Sequence, residues 1–305
     1  MRSLLFVPGD DERKLAKALT SGADALILDL EDSVAEARKA SARGLVAEFL
    51  AAESQRAGTH PQLWVRINPL ETTHWLDDLS HVIGGEPAAW PKGIVLPKPR
   101  GGHDVSRLAV AIDHRVEVAA LAGVAISILA IATELPSSLL SMESYTGASR
   151  RLTALSWGAE DLSAEVGARA TRDHEGRLTS PFRLARDLTL FAAAAAEVDA
   201  IDTVFVDFRN DTGLRRECED AARDGFSGKL AIHPGQIPVI NDVFTPSSAA
   251  VAHAQAVIAA FRDAGTGVAA LDGQMIDRPH VRRAERILAR ARTSFAKLPS
   301  SSQDT

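Results

Sequence analysis

Residues 152–161, "LTALSWGAED", run from a short apolar stretch into a glycine and two adjacent carboxylates, Glu160 and Asp161. A nearly continuous apolar run of this length has the form of a strand covered on both faces, as in parallel sheets. Seven other runs share that form: "SLLFVP" from Ser3, "ALILDL" from Ala25, "LWVRIN" from Leu63, "GIVLPK" from Gly93, "AISILAIATE" from Ala125, "TVFVDF" from Thr203 and "KLAIHP" from Lys229. Between them lie stretches of helical composition such as "DERKLAKALTSG", "AEARKASARGLVAEFLAAE" and "SPFRLARDLTLFAAAAAEV". Strand then helix, eight times over, predicts an α/β fold, a (β/α)₈ TIM barrel with a C-terminal helical extension. A doubly wound open sheet is the competing architecture. Its nucleotide-binding form opens on a Gly-rich turn, and "VPGDDERK" after the first strand has one glycine only.

The chain of 305 residues is long enough to bury a sizeable core, and 46% of it is apolar. A net charge of -6, with no basic stripe on any predicted element, argues against nucleic acid as a partner. No run reaches the roughly 20 apolar residues of a membrane-spanning helix, and the N-terminal apolar run is too short for a signal peptide. The single cysteine, Cys218, cannot form an internal disulfide and reads as an incidental thiol. The expected location is cytoplasmic.

The C-terminal ends of the eight runs carry the chemistry. They present Asp29, Glu31 and Asp32; Arg66 and Asn68; Lys98; Glu134; Glu160 and Asp161; Asp207 and Arg209; and His233. In a TIM barrel the active site lies at this face, so the pattern predicts an enzyme. Glu134 and Asp161 end successive strands, about 4.8 Å apart in a sheet, and two carboxylates completed by water and substrate suit Mg²⁺. A solvated corner is the plain alternative. Arg66 stands in an otherwise apolar strand, where it needs an ion pair with Glu31 or Asp32, or an anionic ligand, or both. His233 fits a general acid/base, a ligand contact or a satisfied structural histidine.

After the eighth strand, residues 245–265 read as a helix, with Thr245 or Ser247 as N-cap and an apolar stripe through Val251, Ala254, Val257, Ile258 and Phe261. A Gly-containing linker and a basic helix follow. The expected division is a catalytic barrel over residues 1–264, an extension over 265–298 that reaches a neighbouring subunit, and a disordered tail over 299–305.

In order along the chain, "RSLLFVPGDDERKLAKA", "DALILDLEDSV", "VRIN", "VLPK", "ATE", "WGAEDL", "AIDTVFVDF", "GKLAIHPGQI" and "DGQMIDRP" resemble the citrate lyase β-subunit-like family. That family also takes in malyl-CoA and citramalyl-CoA lyases, within the HpcH/HpaI aldolase superfamily. The resemblance runs from Arg2 to Pro279 and implies a Mg²⁺-binding barrel that cleaves or forms a C–C bond in a CoA thioester. It implies that Glu134 and Asp161 hold the metal, that Arg66 contacts substrate, and that Phe6, Arg13 and Lys17 lie where CoA is contacted; His233 is counted with them as a candidate ligand contact. Asp277, in "MIDRP", matches an acid supplied by a neighbouring subunit, which implies a homotrimer or hexamer. One departure is Leu135, where the family's metal-binding Glu is often followed by Thr or Ala. The alternatives within these residues are an aldolase acting on free keto acids, a malyl-CoA-type thioesterase, and a citrate lyase-like subunit that works only in a larger complex.

Overall fold

The computed structural model of the chain describes residues 1–57, 60–119, 125–265 and 267–295. Eight parallel strands close into a barrel in sequence order. They are β1 (Ser3–Pro8), β2 (Ala25–Asp29), β3 (Gln62–Arg66), β4 (Gly93–Leu96), β5 (Ser127–Ile131), β6 (Leu152–Ser156), β7 (Asp199–Asp202) and β8 (Gly228–Ala231). Pairing of Ser3 with Lys229 and of Leu4 with Leu230 closes the ring, which excludes the open sheet. Around the strands lie α1 (Glu12–Ala18), α2 (Lys39–Ser54), α3 (His74–Val82), α4 (Gly102–Val118), α5 (Pro136–Leu139), α6 (Ala159–Glu165), α7 (Ser180–Ala195), α8 (Asp211–Asp224) and α9 (Ile237–Phe244).

The barrel interior is filled by Leu4, Ala25, Ile27, Trp64, Val95, Leu129, Ala154, Ile201 and Leu230, all buried. Trp64 dictates one neighbour. A Cβ on Gly93 would stand 2.3 Å from the Trp64 ring, so only glycine opposite leaves room for the indole. Every residue of β2 and β4 is buried, because helices cover the outside of a parallel barrel while side chains pack its inside.

Strand seven differs from the sequence reading, which placed it at Thr203–Phe208. The ladder runs instead through Asp199–Asp202, pairing Ala200 with Leu155 and Ile201 with Gly228. The β-branched and aromatic run "TVFVDF" has the stronger strand character, but Asp202 of "DAID" has buried partners that only the folded barrel supplies. Asp202 meets Lys229 at 2.7 Å. Asp207 and Arg209 therefore lie well beyond the strand end, both exposed.

The chain divides into two compact units, Met1–Asn241 and Asp242–Thr305. The second contains α10 (Ser248–Ala264), an antiparallel hairpin of β9 (Ala269–Leu271) and β10 (Gln274–Ile276), and α11 (Arg278–Phe295). Ser247 caps α10 by accepting from the Ala250 N–H at 3.1 Å, and Gly265 ends it in the left-handed conformation. The sequence reading closed the barrel at residue 264. Ala254 and Val257 of α10 instead pack with Ile276 and Ala284, so this helix belongs to the second unit. Residues 299–305 lie outside the described residues. The stretch Pro234–Ala264 is, contrary to the sequence reading, long and apolar enough by composition to cross a membrane, but it is broken between α9 and α10 at residues 245–247.

Candidate active site

Alternation along the strands sets the site. Ala25 and Ile27 point into the barrel, so Asp29, two residues on, continues the same inward row. Trp64 likewise leads to Arg66, and the ladder sets Asp29 directly beside Arg66. The result is a bidentate pair: Arg66 Nε and Nη2 donate to the two Asp29 carboxylate oxygens at 2.7 Å each. Arg66 Nη1 stands 2.7 Å from Glu31 Oε2 and 3.9 Å from Asp32, and the guanidinium lies 4.7 Å above the Phe6 ring. The sequence reading offered Glu31 or Asp32 as the partner; Asp29, closer to the barrel interior, takes the paired contact.

Glu31, Glu134 and Asp161 come together around a residue that the sequence reading named only as a strand end. Lys98 donates its backbone N–H to Glu134 Oε2 at 2.5 Å. Its ammonium donates to Glu31 Oε1 and, at 3.0 Å, to Asp32, and stands 3.1 Å from Asp161 Oδ1. Glu134 follows β5 and is buried; Asp161, in the first turn of α6, is half-buried, whereas Glu160 is exposed. Gly158 makes that arrangement feasible, since a Cβ there would stand 2.6 Å from Glu134 Cγ. The "WGAED" glycine thus lets the α6 turn close on the Glu134 side chain.

Charge in this cluster is unbalanced: Asp29, Glu31, Asp32, Glu134 and Asp161 face two cations, Arg66 and Lys98. Burial by itself raises the Asp29 carboxyl, yet the Arg66 guanidinium holds it below its ordinary value. Burial raises Glu31 to about 7, and Arg66 and Lys98 offset only part of that. Burial also raises Glu134 well above the usual carboxylate range, with the Glu31 and Asp161 charges adding to the effect. Glu31 Oε2 is buried and its partner is the Arg66 guanidinium, as an ion pair at 2.7 Å. These features fit a hard divalent cation. All donors are oxygen, and negative charge is in excess. Among the described residues no three or more of His, Cys, Asp and Glu are arranged to hold a metal. A cation here would be held by a pair of carboxylates, Glu134 and Asp161, with its other positions left to ligand and water.

A supporting network fixes the β2 and β3 ends. Lys39 Nζ donates to the Leu30 and Glu31 carbonyls at 3.0 and 3.1 Å. Buried Asp78 accepts from the Asn68 side chain at 2.7 Å and from Arg43 at 2.7 Å. A cavity of about 480 Å³ adjoins the cluster, lined by Glu31, Asp32, Lys39, Asn68, His74 and Lys98 among others. A second cavity, about 1000 Å³, lies between α7 and α8 and is lined by none of the cluster's residues.

The other candidates have surroundings of their own. Arg13 and Lys17 are exposed one turn apart on α1. His233 is exposed; its Nδ1 accepts from the Gly235 N–H at 3.1 Å and its ring stacks on Phe208 at 4.9 Å. Asp277, in the second unit, starts α11 and meets His280 Nδ1 at 2.5 Å, which holds its carboxyl below the ordinary value. Sequence reasoning placed Lys98 at a strand end but missed its link to the carboxylates. The available signal was a lysine between two prolines, "LPKPR", at a strand end.

Comparison with known proteins identifies the family. A model of the HpcH/HpaI aldolase/citrate lyase family matches residues 2–234. The chain is 36% identical over 293 residues to a (3S)-malyl-CoA thioesterase of Cereibacter sphaeroides, covering 95% of this chain and 94% of that one. It is 32% identical over 301 residues to the mitochondrial citramalyl-CoA lyase of Rattus norvegicus, covering 95% and 86%. The crystal structure of CitE from Mycobacterium tuberculosis in complex with magnesium, acetoacetate and coenzyme A superposes with a TM-score of 0.74 at 33% identity, covering 95% of this chain and 97% of that one.

Proposed function

Because the chain belongs to the HpcH/HpaI aldolase/citrate lyase family, a group of carbon–carbon lyases, we propose that it cleaves or forms a 3-hydroxyacyl-CoA of the malyl-CoA or citramalyl-CoA type with the help of Mg²⁺. The products of cleavage are an acyl-CoA and an α-keto acid. The observation that carries this reading is the strand-end cluster, where a guanidinium locked by Asp29 faces two carboxylates tied together through Lys98.

Glu134 and Asp161 would hold Mg²⁺, which when bound acidifies the substrate hydroxyl and supports the carboxylate of the departing keto acid. Arg66 has five N–H donors, and Asp29 engages two of them. The lock fixes the plane of the fork, so its remaining donors meet the thioester oxygen as it becomes an enolate, without a reorganisation cost. When the C2–C3 bond breaks, its electron pair passes to the thioester enolate and the hydroxyl proton passes to water. Asp277, acting from a neighbouring copy in a trimer or hexamer, returns a proton to the enolate carbon, or removes it in the condensation direction. Phe6 supports Arg66 from below, and the cations Arg13 and Lys17 suit the phosphates of CoA.

The similarity to a malyl-CoA thioesterase favours a second reading, in which water attacks the thioester at the same site. One experiment separates the two. The protein is incubated with Mg²⁺ and a panel of malyl-, citramalyl- and related CoA esters while keto acid and free thiol are followed. Keto acid without thiol identifies the lyase, and thiol without keto acid the thioesterase. Asp277→Asn should bind CoA ester yet lose turnover; undiminished turnover removes Asp277 from the mechanism.

A further inference from the structure

Lys98 touches more of the carboxylate cluster than any acid in it, and its backbone is bent to do so. It follows β4 with φ of 48°, in the left-handed region, although it is not glycine. Pro99 comes next, and a residue before proline is itself disfavoured in helical conformations. Such a conformation costs on the order of 1–3 kcal/mol and persists only where surrounding structure enforces it. Here the bend turns one residue's N–H and its ammonium toward the same place. The N–H meets Glu134, which follows β5, and the ammonium meets Glu31 and Asp32 after β2 and Asp161 after β6.

We propose that Lys98 is a positioning residue that acts as the cluster's own counter-cation and competes with the divalent cation for Asp161. The inference rests on the Mg²⁺ reading above and adds a residue to it. An ammonium 3.1 Å from Asp161 Oδ1 lies where it repels any cation bound by that carboxylate, since an ion held by oxygen sits about 2.1 Å from its donors. Two like-charged groups cannot share the oxygen without cost, and the dication carries the greater charge. Lys98 has somewhere to go. Glu31 and Asp32 already accept from it, and together they outnumber it in charge. Cation binding therefore shifts the ammonium from Asp161 onto the Glu31–Asp32 pair. That shift fixes those two acids on the side of the cavity they share with Asn68 and His74.

The test is Mg²⁺ affinity by titration calorimetry, with Glu134→Ala as the control for the site. Lys98→Met removes the competitor, so Mg²⁺ should bind roughly tenfold more tightly than to wild type, and its melting-temperature rise on adding Mg²⁺ should grow. Lys98→Arg keeps the charge and should restore the wild-type affinity. A merely structural lysine predicts the opposite, weaker binding in Lys98→Met as the cluster loosens, and unchanged or weaker binding overturns the proposal. If Lys98→Met fails to fold, wild-type crystals grown with Mg²⁺ decide. Lys98 Nζ beyond hydrogen-bond reach of Asp161 supports the proposal, and Nζ still bonded to Asp161 beside the bound ion overturns it. Absence of any Mg²⁺ heat in wild type removes the metal reading itself, and this inference with it. A wild type that binds while Lys98→Met is unchanged removes the inference alone.

Discussion

Two of the barrel's clusters of buried charge are built on different accounts. At the mouth, five carboxylates face Arg66 and Lys98. Between β7, β8, α7 and α8, three cations meet three acids. Lys229, fully buried, lies 2.7 Å from both Asp202 and Glu217; Arg186 pairs with Asp224 at 2.8 Å; Arg172 pairs with Glu217. In the second cluster burial alone would lower the Lys229 ammonium and raise the Asp202 carboxyl, but each partner reverses the shift of the other. Charge there is balanced within the fold, three cations against three acids. The mouth cluster leaves acid in excess, and Glu31 and Glu134 are pushed upward rather than held down. A balanced network is what a scaffold needs. An unbalanced one is what a ligand of opposite charge can complete.

The segment "LSWGAED" joins the two. Trp157 donates its indole N–H to Asp202 at 2.8 Å, while the next residue, Gly158, packs against Glu134.

Substitutions should separate the clusters. The largest effect is expected for Lys229→Met, which leaves Asp202 and Glu217 without their shared cation and should cost about 3–5 kcal/mol of stability in urea unfolding. Mg²⁺ affinity should stay within about twofold, because that network is remote from the ion's ligands. The pH dependence has a definite sign. Asp202 has a lowered pKa in the folded state, so its contribution is present above the unfolded carboxylate value and lost as pH falls through the folded one. Without Lys229 the folded pKa rises, and acid unfolding should begin at higher pH. A variant that loses less than about 1 kcal/mol would erase the distinction drawn here.

Trp157→Phe comes next. It removes a hydrogen bond to a buried charge, worth about 1.5–3 kcal/mol, and alone of these substitutions should affect both clusters, lowering stability and Mg²⁺ affinity together. Unchanged affinity would show that the two clusters are independent. The smallest effect, opposite in sign, is expected for Glu134→Gln. Neutralising a buried carboxylate among like charges should raise stability without Mg²⁺ by about 1 kcal/mol and abolish the Mg²⁺-induced rise in melting temperature. A less stable Glu134→Gln protein would mean that this acid is already compensated.

Much of the fold was legible. Continuous apolar runs mark strands covered on both faces, and seven of the eight lie where they were read. Strand seven slipped because Asp202 looks like a loop residue until Lys229 and Trp157 are placed beside it. Arg66, Glu134 and Asp161 stood out as polar groups ending apolar runs, and the half-buried Asp161 and exposed Glu160 separate as alternation around the α6 turn requires. Their partners did not stand out. His233 turned out to cap its own turn and stack on Phe208, a contact between residues 25 positions apart that no spacing rule reports.

The sequence by itself determined the architecture and the face that carries the chemistry, because strand burial and strand ends are local properties of composition. Tertiary structure alone decided that Asp29 locks Arg66, that Lys98 stands among four carboxylates, and that Lys229 belongs to the scaffold. Those facts depend on barrel closure and register, which bring residues 37 and 67 positions apart to hydrogen-bond distance.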